Sequence, residues 1–530
     1  MRAKLTPVIV WAGVGLLVML PLLLADIPPL LDYPNHLARA YIASHLAADP
    51  NLHRFYVVNW GHIVPDMLGD VILVGLARLL PIVLAGKVLI AMILAVTLGG
   101  VACLHRVLWG RWSAWPLAAI PFLWHGALTA GFVAFSLSLG LALLAASAWR
   151  VSISWPLRRR LPLAAALGAG LWFSHMIALG VFLVICASLD LGEPLAQPSL
   201  RRFDLLGRRF VALALLGAVP LALSLAFYVP QTTGLVPGAE GLPPLGEWTL
   251  HDHLRGLMMP VMGHYHTVAL VEAGGLALVA LLLWAGRAVR LALPLLPGWG
   301  LLAILFLALP SNIMDTAFVP ERFTIALALL AVAGSQPIPG RRMMRPAIAG
   351  LAVLAVLQCA SVAVAWRASQ PYVAGMRKAF ALMPPGSRLL VAAPMLSPSD
   401  TDPYGVRDPR APGWYLALFD FPNLIHMPTL AVIDRSAFVH TIFVHPDKQI
   451  LSFTASVAAQ WPSDNLPLSL GDAQNRLQDY PKMEYMAVLY ADRLTPRERE
   501  ELAALPILYD DGQFLLARIR QPATQTAGPY

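Results

Sequence analysis

The chain has 530 residues, 58% of them hydrophobic and 13% charged, which is too apolar for soluble domains of that total size. Its formal charge is +8, unevenly spread: residues 1–366 hold 23 Lys and Arg against 14 Asp and Glu, and residues 367–530 hold 15 against 16. The basicity therefore belongs to the apolar part, where Lys/Arg bias in cytoplasmic loops accounts for it and nucleic-acid binding does not. Cys103, Cys186 and Cys359 all fall inside apolar runs, which excludes a disulfide framework and a cysteine zinc cluster.

Residues 5–25 carry no charge and as a helix reach about 31 Å, the thickness of a hydrocarbon core. They predict a retained first span, with Arg2 and Lys4 holding the N-terminus in the cytoplasm and no secretory cleavage site. Residues 26–63 then form an outer loop that contains "LLDYPNHLARAYIASHL". Pro34 suits a first helical turn. Leu37, Tyr41 and His45 or Leu46 recur at helical spacing while Arg39 and Ser44 face elsewhere, which predicts a helix lying along the membrane surface. Asp32 stands just before that helix and His36 four residues on. One reading makes Asp32 a cap for the helix N–H groups; the other gives it chemistry.

Further apolar segments lie near 64–80, 83–105, 114–128, 131–149, 161–190, 210–228, 267–286, 291–309, 320–336 and 346–366. With 161–190 taken as a hairpin about His175, the expectation is a polytopic α-helical membrane protein of about 11 to 13 spans in a bacterial inner membrane. Arginine clusters at 150–160, 201–209, 287–290 and 341–345 punctuate the spans as cytoplasmic loops, so the C-terminus emerges outside. Arg78 and Lys87 conflict with Arg106, from which one span separates them.

Two more outer loops are expected, 229–266 and 310–321. The first carries "HDHLRGLMMPVMGHYH", in which His251 with His253, and His264 with His266, form two H-x-H pairs. An extended chain places each pair on one side, open to three uses: substrate contact, a transition-metal site or plain surface. From 367 to 530 the apolar runs are too short to span. "SRLLVAAP", "YMAVLY" and "FLLARI" read as strands and "TPREREELAAL" as a capped helix, which together predict a soluble extracytoplasmic α/β domain. "SPSDTDPYGVRDPRAPGW" lacks the spacing of a calcium loop, and His440 and His445 are wrongly spaced to share a ligand. No G-x-S-x-G, P-loop or G-x-G-x-x-G occurs, which leaves hydrolase, ATPase and dinucleotide readings without support.

A first span, an outer loop opening with an Asp in "LLDYPNHLARAY", the aromatic and proline of "WGHIVPDML", many further spans and a soluble C-terminal domain together resemble the GT-C glycosyltransferases. These include the protein O-mannosyltransferases and the aminoarabinose transferases, integral membrane enzymes that take sugars from polyprenyl-phosphate carriers. The resemblance implies that Asp32 acts on the acceptor. Tyr33 stands where the family often has a second acid, Trp60 and Pro65 fall on its aromatic and proline element, and His175 and Arg322 fall on basic positions that hold a lipid phosphate. It implies a polyprenyl-phosphate sugar donor, a glycan, lipid or protein acceptor, and room for a divalent metal. The alternatives from other classes are a transporter or lipid flippase, for which matching broken helices are expected, and a non-catalytic envelope scaffold.

Overall fold

The structure is a computed structural model. It describes residues 2–196, 203–227, 248–313, 316–394, 415–416, 421–422, 424–444, 449–461, 466–471, 473 and 482–519. The loop 228–247, the acidic stretch 397–414 and His445 lie outside the described residues.

The N-terminal part is a helical bundle. Its elements are α1 (Arg2–Leu24), α2 (Tyr33–His45), α3 (Pro50–His53), α4 (Leu68–Ala77), α5 (Ile82–Trp109), α6 (Gly126–Thr129), α7 (Val133–Val151), α8 (Leu157–Ser174) and α9 (Met176–Ala196). They continue with α10 (Phe203–Ala226), α11 (Leu250–Gly256), α12 (His266–Ala285), α13 (Leu296–Ala308), α14 (Glu321–Ala333) and α15 (Met344–Phe380). Among the described residues, five helices are long and apolar enough to cross a membrane. Two short strands, β2 (Val289–Leu291) and β3 (Ser335–Pro337), pair antiparallel, while β1 (Tyr56–Val58) lies in the first loop.

The bundle has two ends. At one, a Cβ placed on Gly86 near the start of α5 would collide with Tyr33 and Leu37 of α2. Far along the same helix, His105 Nδ1 lies 3.2 Å from the Ala333 carbonyl, beside β3. About 28 Å of α5 separates these contacts, so α2 and the β2–β3 pair mark opposite ends.

Two of the apolar segments depart from simple spans. Segment 64–80 folds as α4, ten residues long and about 15 Å, half of a hydrocarbon core. It packs on α2 through an ion pair from Arg39 to Asp70, 2.7 Å, and so stays at the α2 end together with Lys87, the neighbour of Gly86. That removes the conflict with Arg106. Segment 114–128 does traverse the bundle, but Pro116 and Pro121 break its helix into a 3-10 stretch, Trp115–Phe122, followed by α6. Trp115 Nε1 donates to Ser335 Oγ at the far end, Trp124 Nε1 to the Val18 carbonyl midway, and Leu31 N–H to the Thr129 carbonyl at the α2 end. Nearly every residue of the segment is buried, the condition under which irregular backbone survives at membrane depth.

Among the described residues α15, at 37 residues, is the longest helix, about 55 Å, and it outruns the bundle. Residues 367–380, expected in the tail domain, are its continuation. The sheet begins only at β4 (Arg388–Ala393), joined by β5 (Tyr415–Leu416), β6 (Phe421–Pro422), β7 (Phe438–Val439), β8 (Leu451–Phe453), β9 (Leu468–Ser469), β10 (Tyr485–Val488), β11 (Ile507–Asp510) and β12 (Leu515–Arg518). The main sheet runs β11-β12-β10-β4-β7, with β9 also on β4. β4 is parallel to β10, β7 and β9, and β12 antiparallel to its neighbours. The strands read from the three apolar runs form within them, and Thr495 with Glu498 makes a capping box for the helix Pro496–Ala503.

α2 is not an open surface helix. Leu37, Ala38, Ala40 and Ile42 are all buried, because α4 and α5 cover one side and a helix of the tail, α16 (Leu430–Arg435), the other. β1 pairs antiparallel with β8 of the tail, and Tyr56 Oη donates to the Ala437 carbonyl, 3.1 Å. One hydrophobic core runs from α1 through α2 into the sheet.

Candidate active site

Asp32 sits where the first loop turns into α2. Its N–H donates to the Ala130 carbonyl at 3.2 Å, and Gly131, at φ +82°, lies so close that an added Cβ would stand 2.4 Å from that nitrogen. Only glycine fits both the conformation and the approach. The Asp32 side chain makes no capping hydrogen bond, so the cap reading does not describe it. Burial pushes its carboxyl from 3.8 up to about 7, while the charges of Arg322 and Arg39 pull the other way. His426, from the tail, places Nε2 3.6 Å from Asp32 Oδ1. Burial lowers His426 to about 3, so it is neutral at pH 7 and gives Asp32 no compensating charge.

Arg322 opens α14, buried to 5% exposure. Its guanidinium carbon stands 4.4 Å from the Phe132 ring centre and 5.3 Å from that of Phe135. Nη2 donates to the Ala317 carbonyl, 3.0 Å, and Nη1 lies 3.2 Å from His175 Nε2. Among the described residues no carboxylate lies within ion-pair distance of it, although Asp66, Glu321 and Asp32 all act on its charge. A buried cation without an ion-paired carboxylate is costly, and a carbonyl and aromatic faces stabilise it only in part. The arrangement is suited to an incoming anion. His175 sits in the turn between α8 and α9, 3.9 Å from Asp66 Oδ2; Asp66, at φ +70°, accepts from the Met176 N–H.

Asp32, His175 and Arg322 are thus brought to one place. The other candidates are distributed differently. Arg39 is buried and faces inward, because α4 supplies Asp70; it donates to Asp70 Oδ1 at 2.7 Å and lies 2.8 Å from His36 Nδ1. It therefore supports the loop. Tyr33 turns away, its hydroxyl buried beside Gly86 without a partner. Trp60 is 42% exposed in the loop before α4. The two H-x-H pairs do not converge. His251 and His253 lie on α11, where residues two apart diverge: His251 is exposed, and His253 is buried with Nδ1 2.7 Å from the Thr249 carbonyl. His264 accepts from Trp366 Nε1 at 2.9 Å, and His266 is exposed at the start of α12. Among the described residues no group of three His, Cys, Asp or Glu is disposed to hold a metal ion.

Sequence reasoning missed Asp66, Asp70, Gly131 and His426. The two acids carried a signal, since they stand inside a segment read as a span, where ionisable groups are functional by default. His426 carried none, because only the tail's docking on α2 brings it to the loop.

This chain, bundle and appended sheet together, shares its fold with solved structures. Among solved structures, the crystal structure of ArnT from Cupriavidus metallidurans bound to undecaprenyl phosphate matches at 11% identity and a TM-score of 0.53 over 99% of both chains. The same protein in the apo state matches at 11% identity and 0.53 over 97% of this chain and 98% of that one. No protein-family model and no curated protein matches the sequence.

Proposed function

We propose that this protein is a membrane glycosyltransferase that moves a sugar from a polyprenyl-phosphate donor to an acceptor hydroxyl at the extracytoplasmic face. The observation that carries the reading is the pairing of a buried Arg322, with no carboxylate in ion-pair distance among the described residues, with Asp32 on the same end of the bundle; the likeness in fold to ArnT, solved with undecaprenyl phosphate, supports it.

Each step follows from the residues present. The donor's phosphate meets the Arg322 fork, whose planar N–H groups match phosphate oxygens, and His175, 3.2 Å from Nη1, holds that fork in place. Asp32 accepts the proton of the acceptor hydroxyl as the oxygen attacks the anomeric carbon. The bond from that carbon to the phosphate oxygen breaks on the opposite face, its electron pair leaves with the lipid phosphate, and the configuration inverts. Arg322 stabilises the charge that develops there. A carboxyl near 7 is well placed for such a base at neutral pH.

Binding of a polyprenyl phosphate to the purified full chain tests the clamp. Arg322→Lys replaces a fork with a point charge, and the expected result is affinity about tenfold weaker or more, the loss of one charge-assisted hydrogen bond. Unchanged affinity in Arg322→Lys and Arg322→Gln alike would remove Arg322 from the donor site.

A further inference from the structure

A groove of about 500 Å³ lies on the same end of the bundle but is lined by none of the residues above. It opens between the upper part of α15, the residues just after α1 and the helix α16. Asp26, Gln370, Arg377, Lys378, Asp434 and Arg435 supply its polar lining. Four of these groups are engaged, Gln370 by accepting from the Asp26 and Ile27 N–H groups at 2.8 and 3.3 Å. Arg377 grips Asp434 with two bonds of 2.8 and 2.6 Å, and Arg435 donates to the carbonyls of Phe380 and Ala381 at the end of α15. Lys378 is exposed and, among the described residues, has no hydrogen bond or ion pair; the same holds for Arg367, below the groove on the same helix.

Helical spacing puts those two cations on one face, three turns and about 16 Å apart along the axis. At 100° per residue, Val353, Val356, Val364, Arg367, Ala374 and Lys378 fall on one face of α15. The three valines are 65%, 52% and 59% exposed, and beside the groove Leu23 and Leu24 at the end of α1 are exposed too. One helix face therefore passes from an apolar strip into two free cations and then into a polar groove. Pro371, on this face, has no N–H and so leaves the Arg367 carbonyl without its helical donor. The groove lining sets Arg377, Lys378 and Arg435 against Asp26 and Asp434, and Arg367 adds a fourth cation below it.

We propose that this face binds an anionic glycerophospholipid of the phosphatidylglycerol class, acyl chains along the valine strip, phosphate at Arg367 where the strip ends, and glycerol headgroup reaching up into the groove towards Lys378. The excess of cations selects an anionic over a zwitterionic headgroup. The bound lipid bridges α15 and α16, so it joins the bundle to the sheet domain at the height of the first loop. The site stands whether or not the chain transfers sugars.

The test uses the purified full chain in nanodiscs of phosphatidylcholine with or without phosphatidylglycerol, read by native mass spectrometry of the retained lipid. The expected result is retention of phosphatidylglycerol over phosphatidylcholine, lowered roughly thirtyfold in Arg367→Gln/Lys378→Gln, from about one charge contact at each position. Arg158→Gln/Arg159→Gln, equally exposed at the opposite end, removes the same charge and leaves retention unchanged. Equal retention of the two lipids, equal loss in the two variants, or displacement by a polyprenyl phosphate would each overturn the proposal.

Discussion

Asp32 is a carboxylate that the fold holds in an unfavourable state, and this has a thermodynamic signature. Its folded pKa of about 7 exceeds the ordinary 3.8, so the protonated form favours the fold. That stability is fully present below about 4 and is lost as pH rises through 7. Asn at position 32 does not titrate. The melting temperature of Asp32→Asn minus that of the wild type is therefore expected near zero at pH 4 and positive at pH 8, worth on the order of 4 kcal/mol at most. A variant less stable at pH 8 would make Asp32 a structural cap. Asp32, His175 and Arg322 were all legible as residues in the sequence, because an acid just outside a span and cations in apolar runs are conspicuous. The inward turn of Arg39 was not, since it depends on Asp70, a residue hidden in what read as another span.

At the scale of elements, the site depends on how closely the first loop lies against the turn before α7. The Asp32 backbone and Gly131 leave no room for a Cβ, and the glycine's positive φ adds strain to any replacement. Gly131→Ala is expected to cost about 1–3 kcal/mol in overpacking and to lower transfer more than tenfold, since displacement of a base by 1 Å carries that penalty. Thermal melting with initial rates checks it; wild-type rates with wild-type melting would show that the contact does not position Asp32. Helical periodicity revealed α2, but not that α16 covers it, because hydrophobic spacing shows that a face is buried and not by what. The traverse 115–129 was visible as apolar length, while its broken form follows from Pro116 and Pro121.

At the scale of the whole molecule, α15 carries the sheet beyond the bundle and β1 with β8 fastens it to the first loop, so loop and sheet share one side. In a cysteine-free background, His53→Cys and Arg497→Cys are both expected to react with an impermeant maleimide in intact spheroplasts, and Arg158→Cys only after permeabilisation. Labelling of His53→Cys without Arg497→Cys would contradict the shared side. The sheet's strands were legible from their alternation and length; its docking rests on contacts between residues nearly 400 apart, which no local pattern encodes. In the proposed reaction Asp32 takes the acceptor's proton while Arg322 holds the donor's phosphate. Its most direct test is the transfer rate of purified Asp32→Asn from a polyprenyl-phosphate sugar, measured beside donor affinity and across pH. The expected result is unchanged donor affinity, a rate at least about a hundredfold lower, and a wild-type rate that rises with pH through about 7 where the variant's does not. A variant with near-normal rate, or a wild type whose rate falls across that range, would contradict it.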